Sequence, residues 1–183
     1  MFARFGVRSM LEFGLGGATE QFIRELDHVT SVEIYTSDKE LEEKLKISGP
    51  QWAKKFGEEL ASPKWNIVMV EAGDGIIAAE KDVTGKASVP RGSDPTSDKY
   101  KKELADIIDS IDWSGYDYAF VDAGIHLRGD LVNALFGKVR IIGAHDTNDR
   151  DVSGYKRVVC PPEYRVEEHS QGCGTTFWIQ KNI

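Results

Sequence analysis

Apolar and polar positions alternate along this chain in two rhythms. Short apolar runs bounded by Gly, Pro or Asp stand at Ser9 to Phe13, Ser31 to Tyr35, Trp65 to Glu71, Gly115 to Asp122 and Val139 to Thr147. Runs this short with so few polar interruptions predict strands buried on both faces, as in a parallel sheet. Between them the spacing changes to that of helices. One helix opens at Thr19 and runs to Leu26, a short charged one covers Asp38 to Leu45, and another covers Pro50 to Leu60. In the last, Trp52, Phe56 and Leu60 fall four apart, a stripe that reads as core, and Pro50 after Ser48 suits a first turn. Further helices are predicted from Asp98 to Ile111, with Tyr100, Leu104, Ile107, Ile108 and Ile111 on one side, and from Leu127 to Phe136. Tyr164 to His169 and Thr175 to Gln180 read as a closing hairpin across the turn-rich Ser170 to Gly174. From Glu80 to Asp98 neither rhythm holds, so a loop is predicted there, long enough to cover a ligand.

Strands alternating with helices predict an α/β fold: a mainly parallel sheet with helices on both faces and an antiparallel hairpin at its end. At 183 residues, 40% of them hydrophobic and 29% charged, the expectation is one soluble domain spanning 1–183. The net charge of −7 comes with scattered Lys and Arg. That disfavours nucleic acid and leaves a small-molecule or glycan acceptor as the expected partner. Two cysteines, Cys160 and Cys173, are too few for a disulfide framework and lack the spacing of a zinc site. With no membrane span or leader pattern in view, a cytoplasmic protein is expected. Oligomeric state is not legible.

The most informative stretch is Glu12-Phe13-Gly14-Leu15-Gly16-Gly17-Ala18-Thr19, a strand end, a glycine-rich turn and a helix start. Glycines let the backbone take positive φ and approach a ligand where a Cβ would collide. A second acid, Glu33, ends the next strand about 20 residues after the first glycine, the distance at which nucleotide folds place a carboxylate on ribose hydroxyls. The dinucleotide pattern G-x-G-x-x-G would need glycine at 19, where Thr19 stands. Glu12, Glu33, Asp122 and Asp146 all fall at predicted strand ends, and four acids on one rim need a cation or polar ligand to balance them.

The Glu12-x-Gly14-x-Gly16-Gly17 pattern resembles motif I of class I S-adenosylmethionine-dependent methyltransferases. The resemblance implies a Rossmann-like, seven-stranded sheet, with Glu12, Gly14, Gly16, Gly17, Thr19 and Ile34 at the cofactor, Glu33 on its ribose and Asp74 near its adenine. Asp122 to Arg128 and His145-Asp146-Thr147 resemble the acceptor segments of small-molecule and sugar O-methyltransferases. Many of these hold a divalent ion, Mg2+ or Mn2+, at two such acids. Here those are Asp122 and Asp146, with Thr147 where catechol-type relatives carry an amide. The other route uses His145 or His126 as general base, since imidazole titrates near operating pH. Arg128 would orient an acceptor or Asp122, or stand solvated in the first turn of its helix. The resemblance therefore implies methyl transfer to a hydroxyl. A non-catalytic cofactor-binding module is the alternative, and an NAD-linked oxidoreductase is disfavoured by Thr19 and the closing hairpin.

Overall fold

A computed structural model describes residues 2–39, 53–55, 57–58, 61–84, 97–123, 128–148 and 153–183. Seven strands, β1 (Ser9–Phe13), β2 (His28–Tyr35), β3 (Trp65–Glu71), β4 (Tyr118–Val121), β5 (Ile141–His145), β6 (Tyr164–His169) and β7 (Thr175–Gln180), form one sheet in the order β3-β2-β1-β4-β5-β7-β6. The first five are parallel to one another. The β6–β7 hairpin then closes the sheet antiparallel against β5, as its turn-rich connection predicts.

Side-chain alternation along the strands divides the core in two. On one face Met10, Val29, Tyr118, Phe120 and Ile179 meet the helix α2 (Thr19–Glu25) through Phe22 and Ile23, while Phe2 and Phe5 of the four-residue helix α1 (Phe2–Phe5) pack at its margin. On the other face Leu11, Phe13, Val32, Val121 and Ile142 are covered by α3 (Asp74–Thr84), α4 (Asp98–Asp109) and α5 (Arg128–Leu135). An eight-residue helix is marginal alone. Leu131, Val132 and Leu135 of α5 are fully buried, and each such side chain contributes about 1.5–3 kcal/mol, so packing holds α5 in place.

One expectation about the helices is corrected. The loop predicted from Glu80 does not begin there, because α3 continues to Thr84. Ala72 and Gly73 lead into that helix. Its first N–H groups are capped from α4: the Glu103 carboxylate accepts from Gly75 and Ile76, both at 3.0 Å. A side chain some 30 positions downstream thus supplies the start signal that local sequence lacks. Trp52, Phe56, Leu60, His126, most of the predicted 38–45 helix and the rest of the predicted loop, 85–96, lie outside the described residues.

Sheet order and register position the site. Strands leave β1 in opposite directions, to β2 on one side and β4 on the other, so the order reverses between β1 and β4. Phe13 pairs with Val32 and with Val121, and Val121 pairs with Ala144. The next residues, Gly14, Glu33, Asp122 and His145, therefore stand in one row across four strands, at the carboxyl ends of β1, β4 and β5; Glu33, expected to end its strand, instead lies two residues inside β2, which continues to Tyr35.

Candidate active site

Gly14 makes the first contact of this row. Its φ is +87°, and a Cβ there would lie 2.4 Å from the Asp122 carbonyl oxygen, so the turn and the end of β4 close on each other only with glycine. Gly16 and Gly17 differ. A Cβ at either meets no heavy atom of the described residues within 4 Å, so packing among these residues gives no reason for glycine, and the open space above them suits a ligand lying on the backbone.

Beneath the turn runs a chain of buried hydrogen bonds. Thr19 Oγ1 accepts from the Gly16 N–H at 2.9 Å and donates to Glu12 Oε1 at 2.8 Å. Ser31 also donates to Glu12 and in turn accepts from Trp65 Nε1 at 2.7 Å. Glu33 Oε2 accepts from the Leu15 N–H at 3.0 Å. Glu12, Thr19 and Glu33 are all buried, and together they fix the turn from below. Ile34, one residue on, points to the opposite side of the sheet into the core. Asp74 is set apart from this group: it is exposed and pairs with Lys99 at 2.7 Å, which holds its carboxyl below the ordinary value.

Burial pushes Glu12 up to about 7, against the hydrogen bonds from Ser31 and Thr19 and with help from Asp122 and Glu33. Its folded value lies above its unfolded one, so the folded state binds the extra proton. Stability should fall as pH rises from about 4.5 to about 7, by a total on the order of 3 kcal/mol. Glu12→Gln keeps an acceptor oxygen and should flatten that decline. Chemical denaturation from pH 4.5 to 8 checks this: a slope unchanged by the substitution would show that Glu12 is ionised throughout.

On the other side of the row, β5 ends at His145 and the chain turns sharply. Asp146 has φ +56°, a left-handed conformation that Asp tolerates better than most residues. Successive side chains on a strand point to opposite faces, and this turn lets His145 and Asp146 serve the same point. His145 Nδ1 is 3.5 Å from Asp122 Oδ1 and 3.4 Å from Asp146 Oδ1. Arg128, at the start of α5, lies 3.0 Å from Asp122 Oδ1 and 2.7 Å from Asp146 Oδ2. Burial raises Asp122, and Arg128 and His145 only partly oppose it. Tyr155 adds a bond from its hydroxyl to the His145 carbonyl at 2.7 Å. The Thr147 hydroxyl is turned away to a 3.0 Å bond with Thr176 of β7. Asp122, His145 and Asp146 thus converge, with Glu12, Gly14, Gly16, Gly17, Thr19 and Glu33 at the neighbouring turn. Sequence reading missed Tyr155 and the Trp65–Ser31 support, because both reach the site only through tertiary packing.

This architecture recurs in solved structures. A Staphylococcus aureus protein assigned as a caffeoyl-CoA O-methyltransferase aligns over 98% of this chain and 78% of its own, at 15% identity and a TM-score of 0.56. An SAH-bound methyltransferase from Podospora anserina gives 11% identity, 98% and 74% coverage and 0.56. The Bacillus cereus O-methyltransferase in complex with SAH gives 16%, 98% and 77%, and 0.58. The chain has the fold of class I S-adenosylmethionine-dependent methyltransferases. No family model and no curated protein sequence matches it. In the methyltransferase fold the antiparallel closing strand distinguishes the sheet from doubly wound dinucleotide folds, and β7 lies between β5 and β6 accordingly. Among the described residues no helix is long and apolar enough to cross a membrane.

Proposed function

We propose that this protein transfers the methyl group of S-adenosylmethionine to a hydroxyl of a sugar or other small molecule. The observation that carries the reading is the open floor at Gly16 and Gly17, fixed from below by Glu12 and Thr19 and set beside the Asp122–His145 pair. Gly16 and Gly17 would accept the cofactor against the backbone, and Glu33 would take its ribose hydroxyls. The sulfonium supplies an electrophilic methyl, so the protein's part is proximity, in-line orientation and removal of the acceptor proton.

His145 suits the last task. Carboxylates face its Nδ1, so that atom carries the proton and Nε2 is the basic one. Asp122 and Asp146 hold the ring and stabilise the imidazolium formed when the acceptor hydroxyl loses its proton. Asp122, His145 and Asp146 also offer ligand atoms within 4.8 Å of one another, chemistry that suits Mg2+ or Mn2+. The space between the two acids, however, is taken by Arg128.

The acidic balance, −7 overall, supports a small acceptor over nucleic acid. The free thiols Cys160 and Cys173 agree with a reducing compartment such as the cytoplasm. The test is consumption of S-adenosylmethionine in the presence of a panel of sugars and phenols. Formation of S-adenosylhomocysteine matched by methyl ether on one acceptor is expected. Tight cofactor binding with no turnover on any acceptor would favour a non-catalytic binding module.

A further inference from the structure

Two strand-end carboxylates that face each other need positive charge between them, and this chain supplies its own. The Arg128 side chain is 15% exposed, and its Nη1 contacts Asp122 Oδ1 at 3.0 Å and Asp146 Oδ2 at 2.7 Å. Its Nε donates to the Ala123 carbonyl at 2.7 Å, so the guanidinium is fixed from three directions. Burial would depress Arg128, but Asp122, Tyr155 and Asp146 outweigh it and raise its pKa. The backbone at the base of this side chain is also clamped. Gly129 N–H donates to the Ser153 carbonyl at 3.0 Å, and a Cβ on Gly129 would come within 2.1 Å of the Gly154 carbonyl oxygen. The start of α5 therefore has little freedom to withdraw the arginine.

A divalent ion held by the same two carboxylates would sit about 2.0–2.6 Å from an oxygen of each. Nη1 already touches one oxygen of each acid, so the ion and the guanidinium compete for one position and for the same charge. The geometry points to Arg128 as the resident cation of this site: it occupies the place between Asp122 and Asp146 that an ion would take, excludes divalent metal from it, and locks both acids in position. Lysine would not substitute, because a compact point charge lacks the planar fork that reaches Asp122, Asp146 and Ala123 together. Exclusion of the ion does not depend on the methyl-transfer reading; only the positioning of an acceptor does.

Mn2+ titration of the purified chain, followed by electron paramagnetic resonance, tests this without any turnover. Wild type should leave Mn2+ free. Arg128→Ala should take up about one ion per chain, at least about tenfold more tightly than wild type, because the two acids then face each other uncompensated. Adding Asp146→Asn should abolish that gain. A wild-type chain that binds Mn2+ and loses it on Asp146→Asn would overturn the assignment, as would a folded Arg128→Ala chain that binds no better than wild type. If thermal melts show that Arg128→Ala does not fold, wild type and Asp146→Asn alone decide. Negligible uptake by both supports the resident arginine, and uptake by wild type that Asp146→Asn removes overturns it.

Discussion

Replacing His145 by alanine should lower methyl transfer by about 10²–10⁴-fold while leaving cofactor affinity nearly unchanged. The ring stands at the end of β5, and Asp122 and Asp146 face its Nδ1, so its loss removes the base and little of the fold. Asp122→Asn should act in the same direction but more weakly, since an amide can still accept from Nδ1 but cannot stabilise the imidazolium as a carboxylate does. Melting curves separate this from a general loss of structure: His145→Ala should melt within a few degrees of wild type. Chelation should leave wild-type turnover intact. Full activity in His145→Ala would move the chemistry elsewhere.

Gly14→Val and Gly16→Val should behave oppositely although they lie two residues apart. At Gly14 a side chain must adopt φ +87° and push a Cβ to 2.4 Å from the Asp122 carbonyl. The left-handed conformation costs about 1–2 kcal/mol, more for a β-branched residue, and overpacking adds about 1–3 kcal/mol. Together these remove a large part of a typical domain's 5–15 kcal/mol. At Gly16 the space is open, so the melting temperature should change by only a few degrees while S-adenosylmethionine binding is lost. Paired melting and binding curves check both. Equal destabilisation at the two positions would remove the case that the space over Gly16 belongs to a ligand.

The inner strands were legible because parallel strands buried on both faces are written as short apolar runs, and β1 begins and ends where its run does. β3 also keeps its predicted bounds, but it is an edge strand with no fully buried residue, so its apolar run overstated its burial; β6 and β7 were legible instead from the turn between them. The turn after β1 was legible because Gly14 must take a positive φ and close on Asp122, which leaves few alternatives to glycine. The helix α3 was not. Its entry, Ala72-Gly73-Asp74-Gly75, has the composition of a turn, and the residue that makes it a helix start is Glu103 on α4. The rim acids could be placed from the sequence, but their arrangement could not. Asp146 reaches the site through a left-handed turn that no local pattern announces. Arg128 could be read as orienting Asp122, yet its bridge to Asp146 depends on where α5 begins relative to β5. Tyr155 had no signal at all, since its hydroxyl reaches the His145 carbonyl only because the short helical turn Tyr155–Arg157 is packed against α5.

The central claim is that the turn from Glu12 to Thr19, with Glu33 beside it, binds S-adenosylmethionine. Isothermal calorimetry of the wild-type chain and of Glu33→Ala, each checked for folding by its melt, tests it most directly. One cofactor should bind per wild-type chain, and Glu33→Ala should weaken binding by about 1.5–3 kcal/mol for each charge-assisted hydrogen bond lost, before water compensates. Absence of binding by wild type, or the same affinity in a folded Glu33→Ala chain, would contradict it.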